Sequence, residues 1–217
     1  MENKTIAFIG KAKSGKTTAC THILENYKGF TKVNFKDALV AELRQNFPDL
    51  LQKLVELEYP SRMFSDKVAQ QKWIDQSWID QLFLDKPPLM RALMQNYGTE
   101  VRRAGNVNYW VNEWVTTRKT LGDVLVDDCR FHNEAQTIRD HGGVIIKIVQ
   151  VGVEDSGTHS SELEMEGIAY DYEIVAEKGD HASFYAQLNV IMQKIDGGVI
   201  QNARVDGIKV SDFDSNS

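Results

Sequence analysis

The chain has 217 residues, of which 42% are hydrophobic and 26% are charged, a composition typical of a folded globular protein and not of a disordered one. Its length fits one domain with room for an inserted subdomain. The formal net charge is −6 and there is no long basic run, which argues against nucleic acid as the main partner, because such binding depends on clustered lysine and arginine.

The sequence also has no run of about twenty apolar residues, and its first residues lead directly into a strand without a signal-peptide pattern. We therefore expect a cytoplasmic protein that does not enter a membrane. The two cysteines, Cys20 and Cys129, lack the spacing of metal ligands. Their apolar surroundings predict two reduced thiols inside the fold.

The first chemical motif is the segment Gly10–Thr17, which fits the P-loop pattern G-x-x-x-x-G-K-[ST]. It follows an apolar run and precedes a helix-like segment, as the motif requires. Backbone N–H groups of such a loop surround phosphate oxygens, while Lys16 would reach the β and γ phosphates and the Thr17 hydroxyl would hold Mg²⁺. The pattern predicts a nucleoside triphosphate site, with a glycine-rich surface turn as the alternative. The predicted site residues are Gly10, Lys13, Ser14, Gly15, Lys16, Thr17 and Thr18.

Five short apolar runs predict β-strands. In most of these runs the apolar residues are nearly continuous and do not alternate with polar ones, which is typical of strands buried on both faces of a parallel sheet. Helical patterns separate them, which predicts an α/β fold of the P-loop NTPase kind: three layers, doubly wound, with a mostly parallel five-stranded sheet and ligands at the carboxyl ends of the strands. The predicted strands are 5–9, 32–35, 124–127, 144–149 and 172–176.

Apolar residues at helical spacing predict three of the helices. One covers 107–115 with Asn106 as its cap, and one covers 131–141 and stops at the glycine pair that follows. The third covers 184–195.

The segment from about 47 to 101 is too long for one crossover, and its periodicity predicts a helical insertion in which Trp73 and Trp78 are packing residues. We expect residues 1–196 to form the main domain, with a polar lid at about 151–163. Residues 197–217 are expected to form a C-terminal tail or a small hairpin.

A strand that ends in the two carboxylates Asp127 and Asp128 has the form of a Walker B element. Asp127 would orient Mg²⁺ through a bound water, whereas a solvated strand end or a helix cap is the structural alternative. Arg130 follows at the same strand end, where a guanidinium can bridge donor and acceptor phosphates. A surface ion pair is its alternative. The predicted catalytic residues are Lys16, Asp128 and Arg130.

Three arginines lie near the segment 98–100, namely Arg91, Arg102 and Arg103. A group of arginines is suited to hold the phosphate of a monophosphate acceptor in line with the phosphoryl group that is transferred. Arg91 is favoured, since two neighbouring helical residues cannot both face one site. The five histidines show no metal-ligand spacing. His159 stands out only because it lies in the predicted lid, with an exposed loop residue as the alternative.

Five blocks of the sequence resemble the bacteriophage deoxynucleoside monophosphate kinases in order and spacing. The blocks lie at 89–100, 108–111, 126–134, 142–145 and 158–162. With the P-loop, the likeness spans about residues 4 to 195. The resemblance implies an ATP-dependent enzyme of the P-loop nucleoside monophosphate kinase class that passes the γ-phosphoryl group to a 5′-deoxynucleotide, with Mg²⁺. It further implies that the acceptor is surrounded by Lys36, Arg91, Gly98, Trp110, Asp128, Arg130 and Glu134.

Physical chemistry gives these residues roles: Lys36 and the arginines on the phosphate, Trp110 on the base or sugar, and Glu134 on a polar edge. Trp110 also fits the apolar stripe of its helix, so a core position stays open. Relatives often have Asn and Asp before the glycine after the last strand, near the ATP base, whereas this chain has Ala-Glu-Lys-Gly at 176–179. Recognition of adenine there, and donor preference, are therefore left open.

The sequence thus predicts phosphorylation of deoxynucleoside monophosphates, as in phage DNA precursor synthesis, by a monomer or a homodimer with a small-molecule substrate and no nucleic acid partner. One alternative is a P-loop kinase for another small acceptor, such as a coenzyme precursor. The other is a nucleotide-dependent switch or ATPase. Against the latter, the chain lacks an Asn-Lys-x-Asp guanine motif and is short for a ring ATPase.

Overall fold

A computed structural model of the chain describes residues 3–59, 76–152, 165 and 167–196. The chain forms two compact units. The first, which we call the sheet unit, consists of Met1–Asn34 and Arg118–Ser217; the second, the helical unit, consists of Phe35–Thr117.

Within the described residues, the sheet unit contains five strands that pair in parallel, in the order β2-β3-β1-β4-β5. The central strand β1 is buried along its whole length, which explains its continuous apolar sequence. The five-stranded parallel sheet is confirmed, and each predicted strand is present within a few residues of its expected bounds. The strands are β1 Thr5–Ile9, β2 Phe30–Lys32, β3 Asp123–Val126, β4 Val144–Val151 and β5 Tyr172–Glu177.

The largest shift concerns β2, which ends at Lys32 where the sequence predicted a strand from 32 to 35. Val33 still donates its N–H to the Leu125 carbonyl. Asn34, the next residue, leaves the sheet because its side chain forms hydrogen bonds with Asp127. A helix begins four residues after the end of β2. The apolar pattern at 33–35 therefore marks a buried connection and not a strand.

Helices cover both faces of the sheet. Ile6 and Phe8 pack in one core with Ile23 and Leu188, and because side chains alternate along a strand, Ala7 and Ile9 point to the other face. The Cβ of a residue at Gly143 would lie 2.6 Å from Ile138, which shows how closely the helix on that face approaches the chain entering β4. The predicted three-layer, doubly wound fold is thus confirmed. The helices of this unit are α1 Lys16–Asn26, α7 His132–Asp140 and α8 His181–Asp196.

The helical unit packs around its own apolar core, in which Leu43, Leu51, Leu82 and Met90 are fully buried. Its elements are α2 Lys36–Asn46, α3 Pro48–Glu58, α4 Gln76–Asp85, α5 Pro88–Gln95, a π-helix Asn96–Arg103 and α6 Tyr109–Arg118, the last residue of which belongs to the sheet unit. The predicted insertion at 47–101 is helical apart from short connections wherever it is described. Its bounds and those of the domain remain predictions.

The helix predicted over 107–115 begins two residues later than expected. Asn106 accepts a hydrogen bond from the Asn108 N–H through its Oδ1 atom at 3.0 Å and so stabilises a turn before the helix. Val107 is exposed in that turn. The apolar spacing at the start of the pattern was therefore misleading, since it included a residue outside the helix.

Trp78 is half-buried in the core of the helical unit with its ring centroid 5.5 Å from that of Tyr59, as expected of a packing residue. Both cysteines are buried and unbridged, as predicted. Trp73, His159, the predicted lid beyond Gly152 and the predicted tail lie outside the described residues. None of the helices in the described ranges has both the length and the hydropathy needed to cross a bilayer.

Candidate nucleotide-binding site

The P-loop connects β1 to α1, which is the strand–loop–helix arrangement that its sequence predicted. Gly10 has φ = +146°, and a Cβ added there would lie 2.4 Å from the main-chain oxygen of Ile148. Lys13 also has a positive φ, of 63°. The loop thus needs glycine at its first position both for its backbone conformation and for its close packing on β4.

The end of α1 that faces the loop has no side-chain cap. Gly15 stands at the N-cap position with φ = +104° and has no side chain to accept a hydrogen bond from the first turn. The first N–H groups of a helix lack intrahelical acceptors, and the helix dipole adds partial positive charge at this end. The geometry therefore offers backbone donors to an anion such as a phosphate.

Lys16 lies across the loop. Its Nζ atom donates to the carbonyl oxygens of Gly10 and Lys11, both at 2.6 Å, and lies 3.4 Å from the Ser14 Oγ. These carbonyl oxygens are neutral acceptors, and a phosphate would be a stronger acceptor for the ammonium group because hydrogen bonds to charged groups are stronger.

Asp127, which directly follows β3, is the most constrained carboxylate of the sheet unit's candidate site. The residue is only 6% exposed. Its Oδ2 accepts a hydrogen bond from the Thr17 hydroxyl at 2.8 Å and lies 2.5 Å from the Lys32 Nζ. Its Oδ1 accepts from the Asn34 side-chain amide at 2.7 Å, and its own N–H donates to the Asn34 Oδ1 at 2.9 Å. The P-loop helix and the strand end are therefore joined at one carboxylate.

The Thr17 hydroxyl and the Asp127 carboxylate form an oxygen donor set that fits Mg²⁺, which prefers hard oxygen ligands and usually binds through one or two protein groups together with waters and substrate phosphates. In the described part of the chain, no cluster of three or more His, Cys, Asp or Glu residues could hold a metal by itself.

The segment after Asp127 alternates between buried and accessible side chains. Cys129 is fully buried, and burial raises the pKa of its thiol well above the ordinary value, so it is an inert anchor. Asp128 on one side of it is half-buried, and Arg130 on the other is exposed. Burial of the cysteine thus holds its two neighbours at the surface beyond the carboxyl end of β3.

Glu134 fixes the backbone of this segment. Its Oε2 accepts hydrogen bonds from the N–H groups of Arg130 at 2.8 Å and Phe131 at 3.1 Å, and the residue is only 4% exposed. A carboxylate at the N-terminus of α7 is also favoured by the helix dipole. In this structure the carboxylate therefore positions the chain around Arg130, a contact that the sequence did not predict.

In the helical unit, Lys36 is the first residue of α2 and Arg91 is exposed on α5. Trp110 is only 5% exposed, and its indole Nε1 donates to the Gly98 carbonyl at 3.0 Å. A Cβ at Gly98 would lie 3.4 Å from a methyl group of Leu39, so a larger residue would press on α2. The burial of Trp110 favours the alternative of a core residue, which supports the π-helix at Gly98.

A polar cluster in the same unit was not found by sequence reasoning. Glu42 accepts hydrogen bonds from the hydroxyls of Tyr97, at 2.9 Å, and Tyr109, and forms an ion pair with Arg102 at 2.8 Å. Burial alone would raise the pKa of Glu42, but the hydrogen bonds from Tyr109, Tyr97 and Arg102 outweigh it and lower the pKa below its ordinary value. Arg102 is thus engaged within its own unit, which agrees with the preference for Arg91.

The structure brings together the P-loop, Thr17 and Asp127, and it places Asp128 and Arg130 just beyond the end of β3, the strand next to β1. Lys32 and Asn34 were missed because the predicted strand over 32–35 concealed them. The available signal was the position of both residues at the carboxyl end of a strand, the edge at which ligands bind in such sheets.

A cavity of about 420 Å³ borders the loop on the side of β4. The Gly10 N–H lies 3.4 Å from the Met165 sulfur there, a weak acceptor. The cavity is lined by residues of the P-loop, the end of β4 and Met165. It lies within the sheet unit and is large enough for part of a nucleotide.

Comparison with known proteins adds independent information. Residues 49–187 match the model of a family described as deoxynucleotide monophosphate kinase. A protein of Acanthamoeba polyphaga mimivirus, provisionally named a deoxynucleotide monophosphate kinase, is 28% identical over 187 residues, covering 84% of this chain and 93% of that protein.

Among solved structures, dephospho-CoA kinase from Campylobacter jejuni is 15% identical, with 91% of this chain and 98% of that chain covered and a TM-score of 0.44. Shikimate kinase from Bacteroides thetaiotaomicron is 13% identical, with 88% and 98% covered and a TM-score of 0.37. Likenesses this weak do not bear on the activity of the chain. The family match covers more than half of the chain and decides its membership: the chain belongs to the deoxynucleotide monophosphate kinase family and is a nucleotide kinase.

Proposed function

We propose that the chain transfers the γ-phosphoryl group of ATP to a deoxynucleoside 5′-monophosphate in the presence of Mg²⁺. The observation that carries this proposal is the joint arrangement of the P-loop, Lys16 and the Thr17–Asp127 hydrogen bond. It supplies backbone donors, a cation on the loop and an oxygen pair, which are the parts that phosphoryl transfer from a nucleoside triphosphate requires.

The P-loop residues named above bind the triphosphate in this proposal. Backbone N–H groups of the loop and of the first turn of α1 hold phosphate oxygens, and the Lys16 ammonium moves from the Gly10 and Lys11 carbonyls onto the β and γ phosphates. Thr17 and, through a water, Asp127 would hold Mg²⁺, which would supply positive charge beside the phosphates.

The acceptor-binding residues are Lys36, Arg91, Gly98, Trp110, Asp128, Arg130 and Glu134. The exposed guanidinium of Arg91 and the Lys36 ammonium provide charge for the monophosphate. The contacts of Trp110 and Glu134 support indirect roles: Trp110 holds the Gly98 backbone, and Glu134 holds the backbone of Arg130.

The nucleophile is a phosphate oxygen that is already ionised at neutral pH, so no general base is required. Catalysis then consists of alignment and of charge neutralisation in a loose transition state by Lys16 and Arg130. Asp128, half-buried beside Arg130, would orient the acceptor through hydrogen bonds.

Substitution of the two cations tests this mechanism. Arg130→Ala should lower turnover by about 10³-fold or more, because a guanidinium at the transition state contributes about that factor. Lys16→Ala should lower turnover by about 100-fold or more, because it removes a charged donor from the transition state. Both variants should leave thermal unfolding unchanged. The matched control is Arg139→Ala, which removes an arginine of α7 that pairs with Asp171 at 3.1 Å. ADP release would be followed in a coupled assay. Normal rates in both variants would refute the mechanism.

The acceptor class is tested by ADP release with each deoxyribo- and ribonucleoside monophosphate in turn. We expect stimulation by deoxynucleoside monophosphates. Stimulation by a coenzyme precursor alone, or only by a protein or DNA partner, would instead support one of the two alternative functions. Phage origin, a cytoplasmic location and a possible homodimer remain predictions.

A further inference from the structure

The Lys32–Asp127 ion pair has no part in the function proposed above, yet it lies at the centre of the candidate site. Lys32 is the last residue of β2, and its ammonium lies 2.5 Å from the same Oδ2 atom that accepts the Thr17 hydrogen bond. The Asp127 side chain is 4% exposed and that of Lys32 is 29% exposed. The carboxylate is therefore buried, while the amine retains access to solvent.

A buried carboxylate beside a polyphosphate site creates an electrostatic problem. Asp127 is joined through Thr17 to the first turn of α1, where the triphosphate would bind, and like charges in a partly buried site repel strongly. Thr17 and Asn34 contribute hydrogen bonds to Asp127 but no net charge. Lys32 brings a positive charge to within 2.5 Å of the Asp127 Oδ2.

The surroundings also determine where the Lys32 charge acts. Asn34 donates to the other oxygen of the carboxylate and accepts from the backbone N–H of Asp127. The carboxylate therefore cannot rotate away from Lys32 without losing two hydrogen bonds, those from Thr17 and Asn34. The ion pair between Lys32 and Asp127 is therefore preorganised by the protein itself, and its geometry does not depend on a bound metal.

We propose that Lys32 is the resident counter-charge of Asp127: it neutralises the carboxylate when no metal is bound, so that the P-loop can accept a nucleotide that arrives without Mg²⁺. This inference rests on the proposed donor site at the P-loop. Lys32 is a positioning and charge-compensating residue and touches no reacting atom.

The test is the affinity for ATP measured by calorimetry in EDTA and again in excess Mg²⁺. Lys32→Gln keeps a hydrogen-bond donor but removes the charge. We expect its affinity for ATP in EDTA to fall by about tenfold or more, and its affinity in Mg²⁺ to change by less than about threefold, because Mg²⁺ then supplies the missing charge. Lys32→Arg should behave like the unaltered protein. Lys28→Gln, which removes a charge from an exposed residue four positions earlier, should leave the ratio of the two affinities unchanged.

Equal losses of affinity with and without Mg²⁺ in Lys32→Gln, or no loss, would overturn the inference. If this variant fails to fold, the pair Asp127→Asn and Lys32→Gln/Asp127→Asn decides the matter, since the buried charge is then absent. We expect these two variants to bind ATP equally in EDTA, whereas a weaker double variant would mean that Lys32 acts on the phosphates directly. Failure of the donor site itself would appear differently, as an unaltered protein that does not bind ATP at all.

Discussion

Replacement of Gly10 by alanine is the sharpest structural test of the P-loop. The new Cβ would lie 2.4 Å from the Ile148 carbonyl oxygen and 2.8 Å from the Ser14 Oγ, about 1 Å short of ordinary van der Waals contact with the former. The oxygen belongs to the main chain of β4, so rotation of a side chain cannot relieve the collision. The loop must therefore move by about 1 Å, a displacement that can cost about 100-fold in turnover when it occurs in a catalytic site.

Gly29→Ala provides the matched control, because Gly29 also has a positive φ, of 92°, but a Cβ there meets nothing within 4 Å. Both variants carry the cost of a left-handed backbone, about 1–2 kcal/mol, and only Gly10→Ala carries the collision. Urea unfolding followed by circular dichroism measures the free energy of unfolding, and calorimetry and ADP release measure binding and turnover. If Gly10→Ala bound ATP and turned over as fast as Gly29→Ala, the argument from close packing would be wrong.

Three further predictions concern residues that sequence analysis alone did not resolve. Glu42→Gln should lower the free energy of unfolding by about 1–3 kcal/mol at neutral pH. Folding lowers the pKa of Glu42 from its ordinary value of 4.5, so the charged carboxylate stabilises the fold above pH 4.5 and this contribution is lost as the pH falls through the lowered pKa. The urea unfolding curves of the two proteins should therefore converge in acid, and a difference that stays constant with pH would contradict this. Glu134→Ala should lower kcat by about tenfold with less effect on the KM for ATP, whereas Glu134→Gln should keep most of the rate because its side-chain carbonyl oxygen can still accept from the backbone. If both variants turned over as fast as the unaltered protein, the backbone at Arg130 would need no support. Trp110→Phe leaves the Gly98 carbonyl without its indole donor and should cost about 1–3 kcal/mol of stability in thermal unfolding, while a larger effect on the KM for the acceptor than on stability would instead support direct contact with the nucleotide.

Most of the fold could be predicted because its signals are local. The central strand β1 is buried along its length and largely apolar since both faces of the sheet are covered, and the P-loop has a pattern that specifies its own backbone conformation. The bounds of β2 were predicted less well, because Val33 and Phe35 are buried outside the sheet and apolar residues report burial, not the strand itself.

Several contacts that the sequence could not reveal join residues far apart in the chain. Lys32 and Asn34 meet Asp127 only because β2 lies beside β3, and this strand order cannot be deduced from periodicity. Glu42 meets Tyr109 across 67 positions. Polar residues at such separations have no local signature, since surface and buried polar residues look alike in a single sequence.

The order of the strands also has a consequence for synthesis of the protein. β1 is made first but lies in the middle of the sheet, and its two neighbours begin only at Asp123 and Val144. A nascent chain on the ribosome therefore carries an unpaired, largely apolar strand until Asp123 has been made, while the helical unit is one continuous stretch that can fold as it emerges. Chains released before Val144 would leave one edge of β1 open to pairing with other molecules, so premature termination should yield aggregates and not a smaller folded protein.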